Sequence, residues 1–283
     1  MSFHPELILL ALAPVFFLFI GIEWVWLRQH PELENAQYGL KDTLSNATLA
    51  AMHQGGELLA AGLIVWVYTR FFDWRLFDLP INGWSLLGAF ILQDFLYYWF
   101  HRSSHQIRWL WAAHVVHHSS EHLNFSTAFR QSLMYPIAGM WVFWLPMAIV
   151  GFPPEIIIMV VLLNLAYQFF VHTQIVKRLG LLEAILNTPS HHRVHHARNA
   201  EYIDRNYAGV LIIWDKLFGT FVPENDANPC VYGITKPIHT HNPITLTFHE
   251  WRDMLRDARA PHKTWRNRLR HLIRRPDWTP NSD

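Results

Sequence analysis

Cysteine is nearly missing from this chain of 283 residues, with Cys230 the sole example. A lone thiol excludes an internal disulfide, an iron–sulfur cluster and a cysteine zinc site, so any metal chemistry must use nitrogen and oxygen ligands. Charge is scarce as well. Asp, Glu, Lys and Arg together make up 16% of the residues and the formal net charge is +1; the charged share is about two-thirds of the usual one. Such a balance carries no electrostatic footprint for nucleic acid, and none is expected as a partner. Intrinsic disorder, a coiled coil and a collagen-like chain each need a composition that is absent here. What is present is apolar and aromatic: 51% hydrophobic residues, 14 Trp and 19 Phe. Histidine reaches 19, almost matching the 22 acidic and the 23 basic residues.

The uncharged runs have membrane dimensions. Leu7 to Ile22 carries no charge, and Glu23, Trp24, Trp26 and Arg28 follow it like an interfacial border. Nothing before it resembles the basic start of a signal peptide, so it is expected to stay as an anchor. Thr43 to Thr69 contains Glu57 and a central Gly55-Gly56, which predicts one broken span or two packed helices. Leu79 to Phe100 holds only Asp94. Residues 131–154 and 156–176 are uncharged, with Pro153-Pro154 at their junction, and predict a helical hairpin that dips into the bilayer and returns. Charges come back from Lys177 onward, and the positive-inside bias puts this region in the cytoplasm. Residues 251–275 form a basic amphipathic interfacial segment, with Trp251, Leu255, Trp265, Leu269 and Ile273 among the arginines. The expected fold is therefore all-α: an integral membrane helical bundle of about four to five spans, hairpin included, under a cytosolic helical His-rich cap. Residues 1–283 make a single membrane-embedded domain in this reading.

Ten histidines fall in two windows: 101, 105, 114, 117, 118 and 122, then 191, 192, 195 and 196. His101 and His105 are four apart, and His114-x2-His117-His118 repeats as His192-x2-His195-His196. Residues three and four apart share a helix face, so each cluster can aim two or three imidazoles at one point. His172, at the end of the hairpin, returns to the same boundary. Eight or nine neutral nitrogen donors exceed what one ion can use, which implies two metals. His122 and His191 are expected beside the ligands. His239 and His241 lack a third partner, and His4, His30, His53, His249, His262 and His271 are expected to be ordinary core or surface residues. Asp94, two turns before His101 inside a span, is expected to accept the free N–H of a ligand imidazole.

This order of motifs, from Asp94-x6-His101-Arg102-x2-His105 to the final cluster, resembles the fatty acid hydroxylase and sterol desaturase superfamily. The similarity includes Asn124-x2-Thr127-x2-Arg130, Asn206-Tyr207-x-Gly209 and Trp214-Asp215, and covers residues 85–250. Within that superfamily, Asn187 to His196 and Tyr207 to Trp214 look most like the alkylglycerol monooxygenases. The resemblance implies two iron ions held by His101, His105, His114, His117, His118, His172, His192, His195 and His196, with O2 as cosubstrate. It implies a membrane lipid substrate hydroxylated at a C–H bond, with ether-lipid cleavage expected before acyl hydroxylation or sterol desaturation. Tetrahydrobiopterin or a protein electron donor would supply the electrons. Asp94, Asn124 and Gln106 are expected near the ligands or the oxygen site, and Arg130 and Asn206 as substrate or structural supports. Two departures stand out: Gln106 replaces an acidic residue, and the further apolar C-terminal helices of those enzymes have no counterpart. A bacterial inner membrane, with the site facing the cytoplasm, is the expected location.

A metal transporter and a haem electron-transfer protein are the competing classes. The first would place polar ligands near the membrane midplane of crossed helices, and the second needs only isolated histidine pairs. Clusters at span ends fit neither.

Overall fold

The computed structural model describes residues 5–261 and 264–280, and the expectations for His4 and His262 lie outside them. Among the described residues eleven α-helices run in chain order as α1 (Ile8–Leu27), α2 (Leu40–Phe72), α3 (Gly83–Gln106), α4 (Arg108–His118), α5 (Tyr135–Ala138), α6 (Leu145–Val150), α7 (Pro154–Phe169), α8 (Pro189–His196), α9 (Ile213–Leu217), α10 (Pro243–Arg259) and α11 (Trp265–Ile273). The described residues contain no strand, only the isolated bridges Leu186–Leu211 and Ala197–Tyr232. The all-helical expectation holds.

Among the described residues one helix, α1, is long and apolar enough to cross a membrane by length and composition. Its burial is confined to Phe16, Glu23 and Leu27. Glu23 is anchored by Tyr38, Thr173 and the backbone N–H of Phe125, which ties α1 to the region above it. The Gly55-Gly56 pair does not break α2. Its 33 residues form one continuous rod of about 50 Å. Gly56 serves close packing instead: a Cβ there would lie 2.8 Å from the Leu133 carbonyl oxygen. Leu58 and Leu59 on the same helix are 78% and 88% exposed, an apolar surface with no protein partner.

The predicted hairpin is realised only in part. Residues 131–154 contain no continuous span, because Pro136 and Pro146 start new turns and Gly139 and Gly151 adopt φ of 79° and 129°. The second arm, α7, has 16 residues and reaches about 24 Å, short of the ~30 Å hydrocarbon core. These pieces pack on α3 and α4 through a core that includes Ala89, Tyr97, Phe100, Ala113, Met147 and Ile157. Residues 251–275 are likewise not one segment. Trp251 is buried in α10, which docks on α4 through Arg108, Glu250 and Asp257, and α11 starts afresh at Trp265.

Candidate metal centre

Four chain segments deliver the histidines. The last turns of α3 carry His101 and His105, and the chain bends at the extended residue Ile107 into α4 with His114, His117 and His118. His172 lies three residues past the end of α7, and α8, opened by Pro189 in its first turn, presents His192, His195 and His196. All nine are buried. Their ring nitrogens form two groups: His101, His105, His114, His118 and His195 in one, and His117, His172, His192 and His196 in the other, with the donor atoms of each within 4.8 Å of one another.

Each cluster of three is thus shared between two points rather than aimed at one. On α4 the i and i+4 residues, His114 and His118, face the five-membered group while His117 faces the other. On α8 the pattern is exchanged: His192 and His196 join the four-membered group and His195 crosses to the five. Helical geometry permits the split: i+3 and i+4 both lie on the face of i but leave the helix about 100° apart around its axis, so they can reach two adjacent points.

The hydrogen bonds fix the tautomers. Nδ1–H of His101 donates to the Tyr207 carbonyl at 2.8 Å, His117 to Arg130 at 3.2 Å, His172 to Gln168 at 2.6 Å and His195 to Arg205 at 2.9 Å. A carbonyl only accepts, so Nε2 of each neutral ring carries a lone pair. Yet the Nε2 atoms face one another: His101 to His114 at 3.0 Å, His117 to His172 at 3.1 Å, His172 to His192 at 2.9 Å and His192 to His196 at 3.0 Å. Nε2 of His105 and of His195 is buried with no partner. Converging lone pairs repel unless a cation sits among them. Ligands about 2.1 Å from an ion and at right angles stand roughly 3.0 Å apart, so these separations fit two metal ions. Burial holds the imidazoles of His117, His118, His192, His195 and His196 well below their ordinary pKa, and so neutral and able to bind metal.

The supporting residues divide differently from expectation. Asp94 accepts no imidazole N–H. It takes the backbone N–H of Val210 (2.8 Å) and Leu211 (3.0 Å), the Trp214 indole (2.9 Å) and the Asn164 amide (2.8 Å). It therefore anchors the loop whose Tyr207 carbonyl orients His101. Asp215 pins the same loop through the N–H groups of Tyr207 and Ala208. Asn124 is a cap, accepting from Ser126 and donating to the Ala36 carbonyl. Gln106 lines a pocket of about 490 Å³ with Arg102, Asp204, Arg205 and Arg275, outside both groups. Arg130 is buried, bonded to Asp42 and Asn46, and supplies the carbonyl for His117. Asn206 bridges His191 and Val222 through their backbones. His122, His191, His239 and His241 join neither group, nor do His30, His53, His249 and His271.

Residues that escaped sequence reasoning include Tyr135, whose hydroxyl lies 3.1 Å from His114 Nδ1, and Asp204, whose carboxylate lies 3.5 Å from His105 Nδ1. Asp204 is clamped in turn by Arg275 at 2.5 Å. Asp204 and Asn206 hold φ of 60° and 55°, and this unusual backbone brings the Asp204 carboxylate and the Arg205 carbonyl to two histidines of one group, His105 and His195. Only the positive φ of two non-glycine residues marks them, and a sequence does not display it.

The fatty acid hydroxylase family model matches residues 86–220. Alkylglycerol monooxygenase of Homo sapiens is 47% identical over 74% of this chain and 47% of its own length. The Danio rerio protein of that name is 40% identical over 85% and 53%, and the Xenopus tropicalis one 38% over 92% and 56%. The chain thus spans about half the length of these curated relatives. No solved structure matches it significantly. With all nine grouped histidines inside residues 86–220, the chain belongs to the fatty acid hydroxylase family.

Proposed function

We propose that the protein is a membrane-embedded di-iron monooxygenase that cleaves ether lipids of the alkylglycerol class. The observation that carries this reading is the pair of buried imidazole groups with their lone pairs turned inward. His101, His105, His114, His118 and His195 would hold one iron, and His117, His172, His192 and His196 the other. Bound there, the irons would supply the activation of dioxygen. The chain's own residues set the conditions. The carbonyls of Tyr207, Arg130, Gln168 and Arg205 hold four rings in one tautomer, and Asp94 and Asp215 hold the loop that carries the first of them. Burial of all nine rings keeps bulk water away from the oxidising centre.

The reaction consumes substrate C–H, dioxygen, two electrons and two protons, and yields C–OH and water. Hydroxylation next to an ether oxygen produces a hemiacetal, which breaks to a fatty aldehyde and a glycerol lipid. Tetrahydrobiopterin or a protein donor would supply the electrons. The apolar α1 and the exposed leucines of α2 support seating in a bilayer. The histidine cap would then face the cytoplasm, in a bacterial inner membrane, so that lipid enters laterally and electrons arrive from water.

The test is oxygen uptake by the purified, iron-loaded protein with an alkylglycerol and tetrahydrobiopterin, with the aldehyde trapped. Aldehyde formed in step with oxygen establishes ether cleavage. Two irons per chain without uptake would move the substrate to another lipid and the donor to a protein. A haem spectrum, or no bound metal, would overturn the di-iron reading.

A further inference from the structure

Helix α11 carries an apolar stripe that the fold leaves uncovered. Trp265, Leu269 and Ile273 fall at i, i+4 and i+8, one stripe along the helix. In a soluble fold that stripe would face the core, yet these three residues are 70%, 45% and 52% exposed. The inward side is held by His271, buried on the opposite face with its ring 5.0 Å from Trp278, and by Leu272, which packs on the core. The flanks of the stripe are basic. Residues 265–275 contain five arginines and no acidic residue, and the Arg266 guanidinium lies over the Trp265 ring at 5.7 Å. On α10, which packs against α11, Ile244 and Phe248 are exposed as well.

We propose that α11 lies on the anionic leaflet of a bilayer, with Trp265, Leu269 and Ile273 inserted at the headgroup boundary and the arginines meeting lipid phosphates. An exposed apolar stripe bordered by cations on both sides matches an anionic interface in both of its components. A second protein chain would match the stripe alone. The inference narrows the amphipathic segment to α11, because α10 spends Trp251, Glu250 and Asp257 on α4. It also gives the leaflet a route to the site. The N–H of Arg108, at the start of α4, donates to the carbonyl of Arg274 at 3.0 Å, and Arg275, just past α11, holds the Asp204 carboxylate that faces His105.

The test uses the full chain with Cys230→Ser and Leu269→Cys, labelled at the new thiol with nitrobenzoxadiazole and reconstituted in nanodiscs of phosphatidylcholine with or without phosphatidylglycerol. A circular dichroism spectrum like that of the parent protein confirms folding. The expected result is a blue shift and at least about threefold weaker quenching by acrylamide when phosphatidylglycerol is present, reversed by high salt and abolished by combined Arg266→Gln, Arg268→Gln and Arg270→Gln. A label equally open to acrylamide with both lipids overturns the proposal. Protection that is equal with both lipids and tracks dimer formation would instead assign the stripe to a second copy of the chain.

Discussion

His195 and His196 are neighbours on α8 but serve different groups, and their replacement by alanine should have unequal consequences. His196→Ala leaves three donors, His117, His172 and His192, in a group that began with four. His195→Ala leaves four, His101, His105, His114 and His118, in a group that began with five. A four-ligand protein site binds its ion with about 10–16 kcal/mol, or roughly 3 kcal/mol per donor. Losing one donor from the smaller group should weaken that ion about a hundredfold. The larger group keeps a full set of four. The assay is iron content by mass spectrometry after dialysis against a chelator of graded strength, with circular dichroism as a check on folding. Wild type is expected to hold two irons, His196→Ala one, and His195→Ala two up to a stronger chelator. Equal losses from the two variants, or no loss from either, would refute the division into groups of five and four.

The carboxylate facing His105 supports the five-membered group alone, so Asp204→Asn should lower the affinity of that ion about 10- to 100-fold and leave the other unchanged in the same chelator titration. Asp94→Ala strips the acceptor from two backbone N–H groups and an indole. At about 1–3 kcal/mol per orphaned donor, it should cost several kcal/mol in thermal unfolding, whereas Gln106→Ala at the pocket wall should cost little. Gly56→Ala places a methyl group against the Leu133 carbonyl and should destabilise the protein by about 1–3 kcal/mol, measured by the same unfolding. His117→Ala and His195→Ala should each abolish lipid-dependent oxygen uptake while the helical spectrum stays intact.

The gathering of the histidines was legible because the information lies in local spacing. His114-x2-His117-His118 and His192-x2-His195-His196 need only the helical repeat to gather their rings, and the nine histidines fall together in two groups. The exchange between groups was not legible, since it depends on how α4 and α8 face each other. Asp94 shows the same limit. Its place two turns before His101 invited a direct contact, but its partners are Asn164 on α7 and a loop that begins at Val210, 116 residues further along the chain. Residues 131–154 show another. Lack of charge resembles a span, yet prolines and left-handed glycines within the run outweigh hydropathy and divide it into short turns.

The two groups are not electrostatic equals, and the difference traces to one backbone anomaly. Both consist of imidazoles alone, which bring no negative charge, so neither would offset the charge of an ion through its ligands. The fixed Nδ1 protons of His117 and His172, in the four-membered group, point at uncharged carbonyls. In the five-membered group His101 and His195 do the same, but His105 faces the Asp204 carboxylate. A carboxylate behind a ligand imidazole raises its basicity and stabilises the more highly charged state of the ion. An ion bound beside His105 would therefore be the harder of the two to reduce. Arg275 moderates that effect through its ion pair with Asp204, so loss of Arg275 should strengthen the carboxylate's influence where loss of Asp204 removes it. Arg275→Ala and Asp204→Asn are accordingly expected to shift the potential of the same iron in opposite directions, down and up. A shift of the same sign in both would show that they act only by holding the loop in place.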